Sequence, residues 1–488
     1  MPAKPYPRLD SLDFGRLSAI EERKRAPKLL LDGYFDYQQA AYRLATGEAW
    51  FIVGRKGSGK SAALEHIGLL WDKQPTNLLT EWDLGSFPIS DVTTIKVGTQ
   101  AGPSSTRAAW EFLILLRVFE SLMRDNGAQY PADILRLAKE LRSEGLIEGP
   151  DLRTRFFNWS STTAKFEVFG FGAEGRGDDS AATALQLSEI LRRAIRMISS
   201  NSRHLISLDG LDSFFAQSEM QFQSLGALVE AATSVNHLLD DTGLRFNVVM
   251  AVRSDLLSNV PATDSAKIGD RTITLDWSLT GNGTDNDLWK LVNKKALTSV
   301  PDRFEGQLFG DIRKAYLDSD FRFLRYGSIP EYFMDHTRLL PRDMVALLTA
   351  LREIHPGAGK VTASEAKAAV RRYSELYFLT EISNNLSRIL PGESGGKVSA
   401  LLEAMAALDS PRFSSEQLET DLEGELDRSD LRALLRQLHI VGALGVRGGN
   451  GSNKHTNFSY RRIVGGGFKF PGNYVLHNAL LEAWNIRR

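Results

Sequence analysis

Residues 54–61 read GRKGSGKS and follow directly on the apolar run AWFIV. Three glycines and two lysines within eight residues, where an expected strand ends, constrain this chain more than any other feature. Backbone without side chains there can turn successive N–H groups onto one negatively charged group. Gly54, Gly59, Lys60 and Ser61 satisfy G-x-x-x-x-G-K-[ST], and the stretch from Lys60 to Leu70 continues with Leu64, Ile67 and Leu70 on one helical face. Strand, glycine loop and helix is the context that a phosphate-binding loop of the Walker A type requires. In that reading Gly54, Gly57, Ser58, Gly59, Lys60, Ser61 and Ala62 surround the phosphates, and the helix N-terminus adds partial positive charge. Lys60 reaches the β and γ phosphates and the Ser61 hydroxyl ligates Mg²⁺. ATP and Mg²⁺ are the expected cofactors.

Such a site needs an acid at the end of a buried strand beside the loop strand, holding Mg²⁺ through water. The segment HLISLDGLD offers Asp209. Position 210 is glycine, where many ATPases carry a water-activating carboxylate, so the base is either Asp212 or supplied otherwise and slow turnover is expected. Arg253 follows the strand FNVVMAV, and Arg342 opens the helix of LLPRDMVALL. Both are candidates to touch a γ-phosphate.

Around these motifs, expected strands at 50–53, at 92–97, in RHLISLDGLD around apolar residues 205, 206 and 208, at 245–255 and at 271–277 alternate with helices, which implies a parallel sheet covered on both faces: an α/β, P-loop NTPase fold. Residues 1–30 read as an N-terminal arm, 31–283 as the ATPase core, and 126–180 as an insertion with a helix near 131–143 and a glycine-tipped hairpin in KFEVFGFGAEGRGDD. Residues 284–389 are expected to form a helical lid. In 397–488, two helices, the amphipathic SDLRALLRQLHIVGAL, and two strands around a polar loop have the order of a winged helix.

With 488 residues the chain is long enough for several cores. Cysteine is absent, which excludes thiolate metal sites and disulfides, and no apolar run approaches the ~18 residues that span a bilayer. The N-terminal residues lack an apolar signal core, so a cytoplasmic protein without membrane partners is expected. Fifty-nine basic against 60 acidic residues leave a net charge of −1, so any nucleic-acid surface has to be local. GFGAEG at 170–175 reads as a hairpin tip rather than a dinucleotide fingerprint, the eight histidines lack metal spacing, and no Ser/His/Asp grouping is legible. His204 reads as the start of a strand and Trp110 as part of a core stripe.

FIVGRKGSGKSA, HLISLDGLDSFF, VVMAVRSDLL, ITLDW with LWKLV, and LLPRDMVALL occur in an order that resembles the bacterial STAND and KAP-like P-loop ATPases, relatives of AAA+ proteins. The resemblance covers about residues 30–350, and a C-terminal winged-helix-like segment is usual in that family. It implies Walker B roles for Asp209 and Asp212, a sensor role for Arg253, and a lid sensor segment at 341–343. It further implies an ATP-dependent switch that oligomerises and signals to an effector or partner protein, many such proteins belonging to bacterial conflict and antiphage systems. The chain departs from the pattern by its insertion and by the absence of an appended effector domain.

The alternative is a DNA-bound ATPase of the origin-recognition or transposition-helper kind, reading nucleic acid through its winged helix. A small-molecule kinase lacks an identifiable acceptor site. Arg432, Arg436, Gln437, Lys454, His455, Tyr460, Arg461 and Arg462 could line a DNA-contacting wing. Glu416, Glu419, Asp421, Glu423, Glu425 and Asp427 just upstream should repel a duplex, which places protein docking slightly ahead of DNA reading.

Overall fold

The computed structural model describes residues 6–86, 103–148, 184–211, 219–257, 269–280, 285–300, 311–318, 326–387, 389–390, 395–448, 455–461 and 467–486. It divides into two compact units, one of Asp36–Lys56 with Lys60–Leu275, the other of Met1–Phe35, Gly57–Gly59 and Asp276–Arg488.

The first unit is built on a five-stranded parallel sheet of β1 (Phe51–Gly54), β2 (Asn77–Asp83), β3 (Arg203–Asp209), β4 (Arg245–Arg253) and β5 (Thr272–Leu275), in the order β2-β3-β4-β1-β5. The central strands are nearly continuous apolar runs because both faces are covered. Phe51, Val53, Ile206, Leu208, Val248 and Met250 project into one contiguous core. The helices Pro103–Met123, Ala184–Arg196 and Glu219–Asp240 contribute to the same core. Ile52, Leu205, Val249 and Ala251 alternate with these residues, are equally buried, and point the other way. The helix Lys60–Trp71 packs on β1, β2 and β4 and brings Ala63, Leu64 and Ile67 to that side. Trp110 is fully buried and donates its indole N–H to Ser224 Oγ at 3.2 Å. The helix Ala132–Ser143 puts Ile134, Leu137, Ala138 and Leu141 into the main core, so this part of the expected insertion belongs to the unit's framework.

Two expectations change. The acid-bearing strand β3 is not beside the loop strand: β4 lies between them, and its end, Arg253, is the residue in register with Gly54. Strand β2 at 77–83 went unrecognised in the sequence, while the expected strand at 92–97 lies outside the described residues, as do the hairpin at 165–179 and Asp212.

The second unit joins the N-terminal segment, a helical region and a small sheet. The N-terminal residues expected as an arm are anchored: Leu9, Leu12 and Phe14 are buried, Glu22 forms a buried ion pair with Lys295, and Arg352 donates to the Leu12 carbonyl at 2.8 Å. The helices Asp287–Thr298, Pro341–Ile354 and Ala363–Tyr373 form the helical region, the last opened by a Thr362/Glu365 capping box. The small sheet is antiparallel, β6 (Arg412–Ser414), β7 (Leu444–Gly448), β8 (His455–Asn457) and β9 (Asn473–Leu476), in the order β6-β9-β7-β8. Strand β6 precedes the helices Ser415–Asp421 and Arg428–Ile440 and strands β7, β8 and β9 follow them, in winged-helix-like order, with β7 and β8 paired across the polar loop. No described helix is long and apolar enough to cross a membrane.

Candidate phosphate-binding site

In the first unit, β1 ends at Gly54 and the chain turns into the helix that starts at Lys60. The Lys60 side chain is only 5% exposed, yet its ammonium is satisfied: Nζ donates to the carbonyls of Gly54 and Arg55, both at 3.2 Å. The lysine is therefore drawn back over the loop's own carbonyls, which places a positive charge at the helix N-terminus. Ser61 and Ala62 are partly exposed in the first helical turn.

Asp209 closes β3 and accepts the Gly210 N–H at 2.8 Å, with Asp83 in register beside it at the end of β2. Gly210 has a φ of +86°, and a β-carbon there would overlap Asp83 Oδ1 and come within 2.6 Å of the Gly85 nitrogen. Packing thus confines position 210 to glycine. Arg253, 4% exposed, makes a two-pronged pair with Asp255, Nε to Oδ1 at 3.0 Å and Nη2 to Oδ2 at 2.6 Å. Burial pushes the Asp255 carboxyl up, but the Arg253 hydrogen bond and charge, with a contribution from Lys60, hold it below the usual range. Asp255 was not among the expected site residues, although its place two after an arginine at a strand end was visible in RSD.

The loop tip, Gly57–Gly59, groups with the second unit. Gly57 and Gly59 take φ values of +85° and +104°, which a side chain disfavours. Ser58 gives its carbonyl to the Trp277 indole at 2.9 Å, while its buried Oγ has no hydrogen-bond partner among the described residues. Arg342 follows Pro341 at the start of its helix, and its N–H approaches the Gly57 carbonyl at 3.4 Å. The neighbouring Asp343 does not face solvent. It accepts from Arg338 N, Nε and Nη2 at 2.9, 2.9 and 2.7 Å and from the Tyr377 hydroxyl at 3.2 Å. Burial alone would raise the Asp343 carboxyl, and the Arg338 guanidinium reverses this, so the pair stays ionised. Leu339, between Arg338 and the helix, is held at φ +54°, a left-handed conformation costing about 1–2 kcal/mol.

Other groupings lie elsewhere. Ser121 Oγ meets His204 Nδ1 at 3.0 Å, and His204 Nε2 meets Asp125 Oδ2 at 3.3 Å, a Ser/His/Asp arrangement that the sequence did not reveal. Its His204 is 1% exposed and stacked on Phe246, and burial lowers its pKa, so the trio is a sealed structural network rather than an accessible nucleophile. Among the described residues no cluster of three or more His, Asp or Glu side chains is placed to hold a metal alone. In the second unit a cleft of about 1220 Å³ borders Tyr326, Met334, Asp335, Phe458 and Arg461. Of the expected wing residues, Arg432 and Arg436 are exposed and His455 is too, but Gln437 and Tyr460 are buried and Arg461 is paired with Asp335 at 2.9 Å. Lys454 and Arg462 lie outside the described residues.

The phosphate-loop residues fit a nucleoside triphosphate with Mg²⁺. Left-handed glycines, a buried lysine at a helix N-terminus and an unsatisfied serine hydroxyl suit an anion, and Mg²⁺ ordinarily takes one or two protein oxygens together with phosphates and water. No family model matches the chain, and no curated protein is similar to it. Among solved structures, the crystal structure of Cdc6p from Pyrobaculum aerophilum aligns over 93% of this chain and 94% of that one, at 12% identity and a TM-score of 0.32, a likeness too slight to carry an argument.

Proposed function

We propose that the protein is an ATP-binding, slowly hydrolysing molecular switch. The observation that supports this most is Lys60, buried at the start of its helix and held on the Gly54 and Arg55 carbonyls at the end of a parallel strand. Mg·ATP would supply the charged phosphates and the bond to be hydrolysed. Lys60 would bind the β and γ oxygens, Ser61 and Asp209 would hold the metal, Asp209 through water, and Arg253 and Arg342 would answer the charge of the γ-phosphate. Slow turnover is supported by Gly210, whose packing leaves no room for a water-activating carboxylate, so that Asp212 or a partner has to provide the base.

In this reading the bound state favours homo-oligomerisation and is read by an effector or partner protein. The motif order shared with STAND and KAP-like ATPases supports placing the switch in a bacterial conflict or antiphage system. The second reading, a DNA-bound ATPase, is favoured by the winged-helix-like order of elements and by exposed Arg432 and Arg436. Titrating ATP with Mg²⁺ by calorimetry tests the first reading: wild type should bind, and Lys60→Ala should weaken binding at least tenfold while melting as wild type does. Equal affinities in the two proteins would refute it.

A further inference from the structure

We propose that Asp255 is a positioning residue that competes with the terminal phosphate of a bound nucleoside triphosphate for Arg253, and so sets how strongly the site distinguishes triphosphate from diphosphate. The inference rests on the phosphate-loop reading above. Strand register puts Arg253 beside Gly54, the first residue of the loop, so the guanidinium is carried on the strand next to the one that delivers the phosphates. Its Nε and Nη2 already engage both oxygens of Asp255 in a parallel fork. A phosphate presents the same pair of acceptors to an arginine, so carboxylate and phosphate are alternative partners for one set of donors.

Asp255 is also held electrostatically by Lys60, the other cation of the site. The direct contact is the Arg253 fork, and the Lys60 charge adds a smaller attraction for the same carboxylate. A diphosphate can meet Lys60 and the loop without disturbing the Arg253 fork. A triphosphate that recruits Arg253 has to displace Asp255 from the fork. That cost falls on the triphosphate alone, so through Arg253 Asp255 weakens ATP relative to ADP. The pair also keeps Arg253 in place: Asp255 lies two residues on, in the short helical turn Ser254–Leu257, where the strand's end fixes its approach.

The test is calorimetric titration of the full-length protein with Mg·ATP and Mg·ADP, in wild type, Asp255→Asn, Arg253→Gln and the double variant, with thermal melting of each sample. Asparagine keeps the size and one acceptor but removes the charge. Asp255→Asn is expected to raise the ratio of ATP to ADP affinity about tenfold, and the same change in the Arg253→Gln background to leave the ratio within twofold. Should Asp255→Asn fail to fold, Asp255→Ser provides the same comparison. An unchanged or lowered ratio in a folded variant overturns the inference while leaving nucleotide binding intact, as does a rise that persists without Arg253. Absence of nucleotide binding to wild type removes the underlying reading itself, and the inference with it.

Discussion

Gly210 and Asp83 exclude one another's alternatives: a β-carbon at 210 would overlap the Asp83 carboxylate, whose Oδ1 is itself fixed by the Gly85 N–H at 2.8 Å. The residue after Asp209 is therefore set by the neighbouring strand end. Gly210→Ala should destabilise the protein by about 2 kcal/mol or more, combining left-handed strain with a forced shift of the Asp83 turn. Gly210→Glu, which introduces the acid found there in many ATPases, should be at least as destabilising and give no gain in hydrolysis. Urea midpoints and a phosphate-release assay measure both, and a stable, faster Gly210→Glu enzyme would contradict the packing argument.

Asp209 ends its strand partly exposed, so its carboxylate can serve a metal without an unfavourable burial. Asp209→Asn keeps the shape and removes the charge. The gain in ATP affinity on adding Mg²⁺ should shrink several-fold in this variant, whereas affinity measured in EDTA should stay close to wild type. Loss of affinity under both conditions would assign Asp209 to loop structure instead.

Arg342 and Asp343 are adjacent yet should respond differently. Asp343 is sealed with Arg338, and removing one partner of a buried pair typically costs about 3–5 kcal/mol, so Asp343→Ala should lose most of its stability in a urea titration. Arg342 is half-buried beside Gly57, and Arg342→Lys should change stability by less than about 1 kcal/mol. Its ATP-dependent assembly, followed by mass measurement, should nevertheless fall, because a lysine lacks the fixed fork of donors. Wild-type assembly in Arg342→Lys would remove the arginine from the site.

The loop, its helix and strands β3, β4 and β5 were legible because glycine spacing and short β-branched runs report backbone chemistry directly. Strand β2 was not, since NLLTEWD places charged Glu81 and Asp83 on an edge strand whose start is only half-buried, and its pattern reads as a continuation of the preceding turn. The helix Glu219–Asp240 was also passed over: Leu228, Val229, Ala231, Ala232 and Val235 are buried around much of its circumference, which blurs the amphipathic period. Asp255 and the Ser121–His204–Asp125 trio depend on contacts between residues that local pattern cannot pair. The intervening position of β4 is likewise a property of sheet order, which alternation of strands and helices does not determine.

His477 gives a pH signature. Its Nδ1 accepts the Ala479 N–H at 3.1 Å and its ring stacks on Phe378, and burial, with Arg461 and His336 nearby, pushes its pKa down to about 3. The folded value lies below the unfolded one of about 6.5, so the unfolded chain binds the extra proton. The stability His477 contributes is therefore complete above about pH 6.5 and falls as pH drops toward 3. His204, also lowered by burial, acts in the same direction, whereas the stability that Asp343 and Asp255 contribute, both being held low, is fully present above the ordinary carboxylate range and is lost only below it. Urea midpoints at pH 7.5, 6.0 and 5.0 should decline for wild type. His477→Asn, which retains a helix-capping acceptor, should show a visibly flatter decline.

Arg461 bears on how the C-terminal module is used. Its guanidinium is committed to Asp335, so it is a poor source of phosphate contacts, and Tyr460 and Gln437 are buried where a duplex could not meet them. What stays exposed on the helix Arg428–Ile440 is Arg432 and Arg436, with Arg428 paired to Glu419 alongside. Among the described residues of this helix, these few exposed arginines next to an acidic stretch neutralise few phosphates, and binding that weak has a shallow salt dependence. Labelled duplex titrated against the intact protein with Mg·ATP should therefore show no tight binding at physiological salt. ATP-dependent mass increase should persist there, because protein contacts do not depend on counterion release. Tight binding that falls steeply with salt and is lost in an Arg432→Ala/Arg436→Ala double variant would instead make DNA the partner of this module, with the helix rather than the wing as its reading element.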